Sequence, residues 1–341
     1  MRRVTIKDIA REAGVSAQTV SRAINDKGEV SPQTQARVLD IAQRMGYRPN
    51  SIARSLVSSR THNIGLVVPD VANPFFSEIA RGIEDAAHEA DYNVFLCNAA
   101  ENLQREIKAI HSLEAQRVDG LILCSSRLSE QELEQLARRY QPLVLVNRRL
   151  SNVPAGLVLI DDAGGAARAV EHLIALGHRN IGLLAGPPNS HSGRERTQGY
   201  WQTMDAHGLI PKAHWQTHCA PRAEEGHAAS LKLLQRAPEL TALLAFNDLV
   251  AVGAMRACRD LGVDVPGAFS IVGFDDISLA ALVSPALTTI HIPKYQLGRQ
   301  AMALIVELMA EREGSPAEAI VLNTELMIRG TTAACPTGAL D

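Results

Sequence analysis

Apolar positions recur every three to four residues at the start of the chain. Ile6, Ile9, Ala10 and Ala13 form one face of a first short helix. Thr5 stands ahead of it with Asp8 three residues on, a variant capping box. Gly14 follows the last apolar position, where a left-handed residue closes a helix cheaply. Val15 fills the corner. Ser16 caps a second helix, Ala17 to Ile24, whose buried face is Val20, Ala23 and Ile24. Ser31-Pro32 opens a third, with core positions Ala36, Val38, Leu39, Ile41, Ala42 and Met45, and Gly46 ends it.

From about residue 62 the period changes. Short apolar runs alternate with amphipathic stretches. Asn63–Val68, Tyr92–Leu96, Gly120–Leu123 and Leu143–Val146 read as strands, with helices near 76–90 and 102–116 between them. A second series follows at Leu157–Ile160, Ile181–Ala185, Ala242–Phe246 and Ser270–Phe274. Continuous apolar strands between helices predict parallel sheets covered on both faces. Two successive sets predict two doubly wound lobes, with ligands at the carboxyl ends of the strands.

Charge separates the two regions. Residues 1–60 hold 11 Lys+Arg and 5 Asp+Glu, a net of +6, while the rest holds 23 and 32, a net of −9. The overall −3 hides this split. A basic head on an acidic body is the footprint of phosphate binding confined to one domain. The polar face of the second helix carries Ala17, Gln18, Ser21 and Arg22, groups of the kind that reach base edges or phosphates. An ordinary three-helix bundle is the plainer reading of the same helices, and the spacing and charge weigh against it.

The remaining composition narrows the class. A chain of 341 residues supports two or three domains with a sizeable core. No run of about 18 apolar residues is present, so no membrane span is expected. Met1-Arg2-Arg3-Val4-Thr5 leads straight into the helix with no apolar signal segment. The five cysteines (97, 124, 219, 258 and 335) are scattered and expected to be buried small hydrophobes. A cytoplasmic location is the expectation.

Residues 4–56 resemble the DNA-binding head of the LacI/GalR family of bacterial transcription regulators. Thr5, Asp8, Ile9, Ala10, Ala13, Gly14, Val15, Ser16, Thr19, Val20, Ser21, Arg22 and Asn25 fall where that family places them. So do Tyr47, Pro49, Asn50, Ala53, Arg54 and Leu56. The resemblance extends, less tightly, to about residue 330. It implies base contacts by Ala17, Gln18 and Arg22. It implies backbone contacts by Thr5, Ser16, Thr19, Ser21, Asn25, Ser31 and Asn50. Residues 50–58 would form a hinge helix in the minor groove, with Ala53 and Leu56 against the bases and Leu56 wedged between base pairs. An isolated helix that short is unstable alone, so it is expected to order on DNA.

The expected fold is therefore an all-α helix-turn-helix head with a hinge helix, then an α/β body like the periplasmic binding proteins. The expected divisions are 1–48 (head), 49–61 (hinge and linker), 62–330 (effector-binding body) and 331–341 (tail). Within the body, the N-lobe is 62–160 plus 292–322, and the C-lobe is 161–290 plus 323–330.

Polar residues cluster where strands end. Asp70 to Phe76, Asn147-Arg148, Ser192 to Arg196, Asn247-Asp248 and Asp275-Asp276 each follow a predicted strand. Asn, Arg and Asp can bond vicinal hydroxyls in pairs, and Phe75 and Phe76 can stack on a sugar face. The body's resemblance to ribose-type binding proteins implies effector contacts by Asn73, Phe75, Phe76, Asn147, Arg148, Arg196, Asn247, Asp275 and His291, and Ser192 joins the expected set from its place after a strand. Three positions depart from the ribose-type pattern. Asn147 replaces Asp, His291 replaces Gln, and an aromatic is missing near Pro221 or Arg222. A neutral sugar or polyol is the expected effector. A purine or phosphorylated sugar is the alternative, because Arg148, Arg194, Arg196 and His291 could serve an anion.

Enzyme readings find little support. There is no G-x-S-x-G, no P-loop and no G-x-G-x-x-G after a strand. His214 and His218 lack a carboxylate partner for a metal site, so neither metal nor cofactor is expected. A non-regulatory sugar-binding protein would share the body and lack the head. The expected function is a repressor binding a pseudo-palindromic operator as a homodimer under control of the effector. The tail lacks the heptads of a tetramer.

Overall fold

The structure, a computed structural model, describes residues 4–24, 28–47, 60–151, 153–310 and 318–336. Asn25, Asn50, Ala53 and Leu56, with the expected hinge helix, lie outside the described residues. The chain forms two compact units, Met1–Thr61 and His62–Asp341.

The head consists of α1 (Ile6–Ala13), α2 (Ala17–Ile24) and α3 (Pro32–Arg44). Ile9, Ala10, Ala13, Val20, Ala23, Val38, Ile41 and Ala42 make its core. Asp8 accepts from both the backbone and the hydroxyl of Thr5, at 2.9 and 2.7 Å. Gly14 takes φ 65°, which a β-carbon would oppose. Ser16 Oγ accepts from Thr19 N at 3.0 Å and starts α2. Ala36 and Leu39, expected in the core, are exposed. One helix buries a single stripe against two short partners, and positions 38, 41, 42 and 45 already complete it.

The body opens with an N-lobe. Its elements are β1 (Asn63–Val68), α4 (Pro74–Glu89), β2 (Asn93–Asn98), α5 (Leu103–Ala115), β3 (Gly120–Cys124), α6 (Glu130–Arg139), β4 (Leu143–Val146) and β5 (Gly156–Ile160). The C-lobe continues with α7 (Asp162–Ala175), β6 (Ile181–Ala185), α8 (His191–Ala206), β7 (Gln216–His218), α9 (Ala223–Arg236), β8 (Ala242–Ala245), α10 (Asp248–Asp260), β9 (Ser270–Asp275), α11 (Ser278–Leu282) and β10 (Thr288–His291). Then α12 (Lys294–Ala310) and β11 (Ile320–Leu322) return to the first sheet, and β12 (Glu325–Met327) joins the second.

Each sheet has six strands among the described residues, in the orders β11-β5-β4-β3-β1-β2 and β12-β10-β9-β8-β6-β7. Pairing is parallel except for β12 against β10. Strands β3, β4, β5, β6, β8 and β9 are buried throughout, as two-sided cover requires. The expected strand 92–96 runs instead from Asn93 to Asn98 at the sheet edge and is half open, with Phe95 and Leu96 43% and 45% exposed.

Helices α4 and α12 cross at glycines. A Cβ on Gly82 would lie 2.1 Å from Tyr295 O, and one on Gly298 2.1 Å from Ile79 O. The expected tail is part of the C-lobe through Cys335. Ile271 N donates to Thr331 O at 2.9 Å and Cys335 N to Leu176 O at 2.8 Å.

Candidate functional site

In the head, Ala17 and Gln18 are exposed and Ser21 and Arg22 half-exposed, on one face of α2. Thr5, Ser16 and Ser31 are exposed and Thr19 is half-buried. Arg22 is not idle: its Nη1 lies 2.8 Å from Glu29 Oε2.

In the body, the carboxyl ends of both sheets meet at a narrow cleft. From the N-lobe, Asn73, Phe75 and Phe76 line it. Asn73 caps α4, its Oδ1 accepting from Phe75 N at 3.1 Å, so the cap that starts the helix also aims both rings. The rings meet edge to face, 5.0 Å apart. Asn147 lines the same wall, and its Nδ2 donates across the cleft to Ser192 Oγ at 3.3 Å.

The C-lobe wall is organised by Arg196, buried within α8. Its Nε donates to Asp162 Oδ1 at 2.7 Å, its Nη1 to Phe246 O, and its Nη2 to Asp275 Oδ1 at 3.3 Å. Its guanidinium stacks 3.7 Å from the Phe274 ring and 5.0 Å from Phe246. Planarity and five donors allow one arginine to hold three acceptors. Asn247 caps α10 through Val250 N at 2.9 Å and also lines the cleft. Burial pushes the Asp275 carboxyl up to about 6, against the pull of Arg196 and Lys294. Burial raises Asp248 well above the usual carboxylate range.

Backbone strain gathers at these strand ends. Ala100, Glu101, Ser125, Asn147, Asp275 and Asp276 are non-glycine residues with φ between 44° and 111°. Such conformations cost about 1–3 kcal/mol each and persist where surrounding structure fixes them. Four of the six line the cleft.

Eight of the ten expected effector contacts converge here. Arg148 and His291 do not line the cleft. Asn147 turns left-handed at φ 53°, and Arg148 Nη2 donates to Leu128 O at 3.0 Å instead. Arg148 is only 3% exposed, and burial lowers its pKa. His291 pairs with Asp276 at 2.9 Å, and Asp276 is also held by Arg329 at 2.6 Å. That cluster sits with Lys294, whose ammonium donates to Asp275 O and Asp276 O at 2.7 Å, where the chain crosses between lobes.

Glu101, Ser125, Arg127, Pro221 and Phe246, outside the expected set, also line the cleft. Ser125 and Arg127 follow β3, so the strand-end rule reaches them. Among the described residues no group of His, Cys, Asp and Glu could hold a metal ion. His214, expected to lack a carboxylate partner, does have one in Glu239 at 3.1 Å, supplied from beyond α9, while His218 bonds Gly186 O at 2.8 Å. No helix among them is long and apolar enough to cross a membrane.

Comparison with known proteins covers both units. Residues 5–50 match the profile of bacterial regulatory proteins of the lacI family. Residues 61–326 match that of periplasmic binding proteins and the sugar binding domain of the LacI family. Catabolite control protein A of Priestia megaterium is 36% identical over 309 residues, 90% of this chain and 92% of that protein. The structure of the Lac repressor dimer bound to operator and the anti-inducer ONPF aligns at TM-score 0.87 and 30% identity, over 98% of this chain and 100% of that one. A LacI family regulator from Enterococcus faecium with bound ribose aligns at TM-score 0.71 and 29% identity, over 80% and 100%.

Proposed function

Because the chain belongs to the LacI family of DNA-binding transcriptional regulators, we propose that it is a repressor working as a homodimer on a pseudo-palindromic operator. A neutral sugar or polyol in the interlobe cleft sets its affinity for DNA. The observation that carries the ligand class is the charge of the cleft wall. Arg148 and His291 do not line it, and Arg196 is already committed to Asp162 and Asp275. Phe75 and Phe76 supply apolar faces for a ring. The ribose carried by the Enterococcus relative supports the same class.

Two heads in one dimer match two half-sites of an operator. Ala17, Gln18 and Arg22 would read bases. Thr5, Ser16, Thr19, Ser21, Asn25, Ser31 and Asn50 would hold the backbone, and Ala53 and Leu56 would enter the minor groove. The cross-lobe bond from Asn147 to Ser192 is a contact that effector binding would remake. A differential of about 1–3 kcal/mol between lobe arrangements is enough to switch DNA occupancy.

The test is fluorescence anisotropy on a labelled operator with neutral sugars, polyols, sugar phosphates and purines added. A shift in operator affinity with a neutral sugar or polyol is expected. A response to purines or phosphates alone sinks the sugar reading. Loss of base discrimination in Arg22→Ala tests the reading face, and unchanged affinity and bending in Leu56→Ala would remove Leu56 from the mechanism.

A further inference from the structure

One ion pair in the cleft wall is built more rigidly than packing alone requires. Arg127 Nε donates to Glu101 Oε2 at 3.0 Å, and Arg127 Nη2 reaches both Glu101 oxygens at 2.9 and 3.2 Å. Both side chains are largely buried, and both residues line the cleft. The fork pins the guanidinium in plane and direction. Its third nitrogen, Nη1, is buried with no protein partner. Buried donors are almost always satisfied, so an orphan on a residue that lines the cleft marks a position for an acceptor from outside.

The backbone is strained to hold the pair in place. Ala100 and Glu101 are consecutive left-handed residues, at φ 50° and 56°. Glu101 N donates to Pro69 O at 2.7 Å, and Asn98 Oδ1 accepts from Ala100 N at 3.1 Å. On the other side, the buried Glu106 carboxylate accepts from Ser126 Oγ and from Arg127 N, the latter at 3.0 Å. Both partners are thus fixed before any ligand arrives, the arrangement that makes recognition selective.

We propose that the Glu101–Arg127 pair is the effector-selecting element of the cleft, reading two hydroxyls of one neutral ring. Glu101 accepts from one hydroxyl through its remaining lone pairs, and Arg127 Nη1 donates to a second. The pair is neutral as a unit. Among the described lining residues each cation already faces a carboxylate, so an anionic group on the ligand finds no free countercharge. This rests on the sugar reading above and adds which residues choose the sugar.

The test is calorimetry on the full chain. Glucose, galactose, ribose and arabinose are titrated with their single-deoxy and phosphorylated forms. Two conservative variants, Glu101→Gln and Arg127→Lys, are run in parallel, with circular dichroism as the folding check, so one misfolded variant leaves the other to decide. In the wild type, loss of either of two hydroxyls is expected to weaken binding about tenfold or more. Phosphorylation is expected to weaken it at least as much. In each folded variant the penalty at one of those two hydroxyls disappears, while penalties elsewhere stay. A folded variant that keeps every deoxy penalty overturns the role of the pair and leaves the sugar reading intact. A preference for the phosphorylated form overturns it too. A wild type that binds none of the neutral sugars overturns both readings.

Discussion

Asp70, just past the end of β1, and Arg222, at the start of α9, meet at 3.5 Å although 152 residues separate them. They join the two lobes beside the cleft, next to Pro221 in its lining. Arg222 is 44% exposed, so solvent screens the pair and its worth is at most about 1 kcal/mol. It therefore acts on the opening of the lobes more than on stability. Arg222→Ala should speed effector dissociation about two- to fivefold with little change in melting temperature. Stopped-flow release of a bound sugar measures this, and an unchanged rate removes the pair from gating.

Arg22 carries an opposing restraint in the head. Its pairing with Glu29 at 2.8 Å competes with any base or phosphate that Arg22 would contact. Glu29→Gln should tighten DNA binding about two- to fivefold at low salt, with the gain shrinking as salt rises. Operator titrations at two ionic strengths check it. Weaker binding would mean that Glu29 orients Arg22 for DNA instead of withholding it.

Periodicity carried far in this chain, and it failed where turns, distant pairing or core size decide the outcome. The helix-turn-helix spacing and the buried strands were legible because burial imposes a strict period. Asn73, Asn247 and Asp275 were legible as polar residues at strand ends. Arg148 was not, because the left-handed turn at Asn147 redirects it, and no sequence period reports φ. Glu101 was missed because it follows an edge strand through a strained turn. Arg127 lay within reach of the strand-end rule, but its role depends on Glu101, which no local pattern pairs with it. Leu39 is exposed because three short helices cannot supply a core wide enough to reach it.

The Asp275 carboxyl predicts a pH dependence of definite sign. Its folded pKa, about 6, lies above the unfolded value of 3.8. Between those values the folded state keeps a proton that the unfolded chain has released. Its stabilising contribution is therefore full below about pH 4 and is lost as pH rises through about 6. Asp248 shifts in the same direction, so a single melt cannot isolate Asp275. The difference in melting temperature, wild type minus Asp275→Asn, should shrink between pH 4 and pH 7. A difference that is flat or grows with pH rules out the raised pKa.

The crossing of α4 and α12 makes a prediction about stability alone. A methyl on Gly298 would sit 2.1 Å from Ile79 O, a backbone atom that can yield only by moving a helix. Gly298→Ala should destabilise the body by about 1–3 kcal/mol or more. Denaturant unfolding should show a lower midpoint at unchanged slope. A midpoint equal to wild type would mean that the helices separate at little cost.

The edge strand β2 is where the proposed homodimer meets its physical test. Phe95 and Leu96 are adjacent, so their side chains leave opposite faces of the sheet, yet they are 43% and 45% exposed. Val71, near the end of β1, is 41% exposed. An open apolar edge strand is a pairing hazard unless something covers it. A second copy of the chain would do so and would bring two heads to one operator. Phe95→Glu combined with Leu96→Glu should therefore shift the protein to monomer in analytical ultracentrifugation. Operator affinity should fall at least about tenfold, because one head alone forfeits the second half-site. The cleft lies at the carboxyl ends of the strands, so sugar binding should survive the change. A variant that stays dimeric with full operator affinity would place the dimer contact elsewhere on the body.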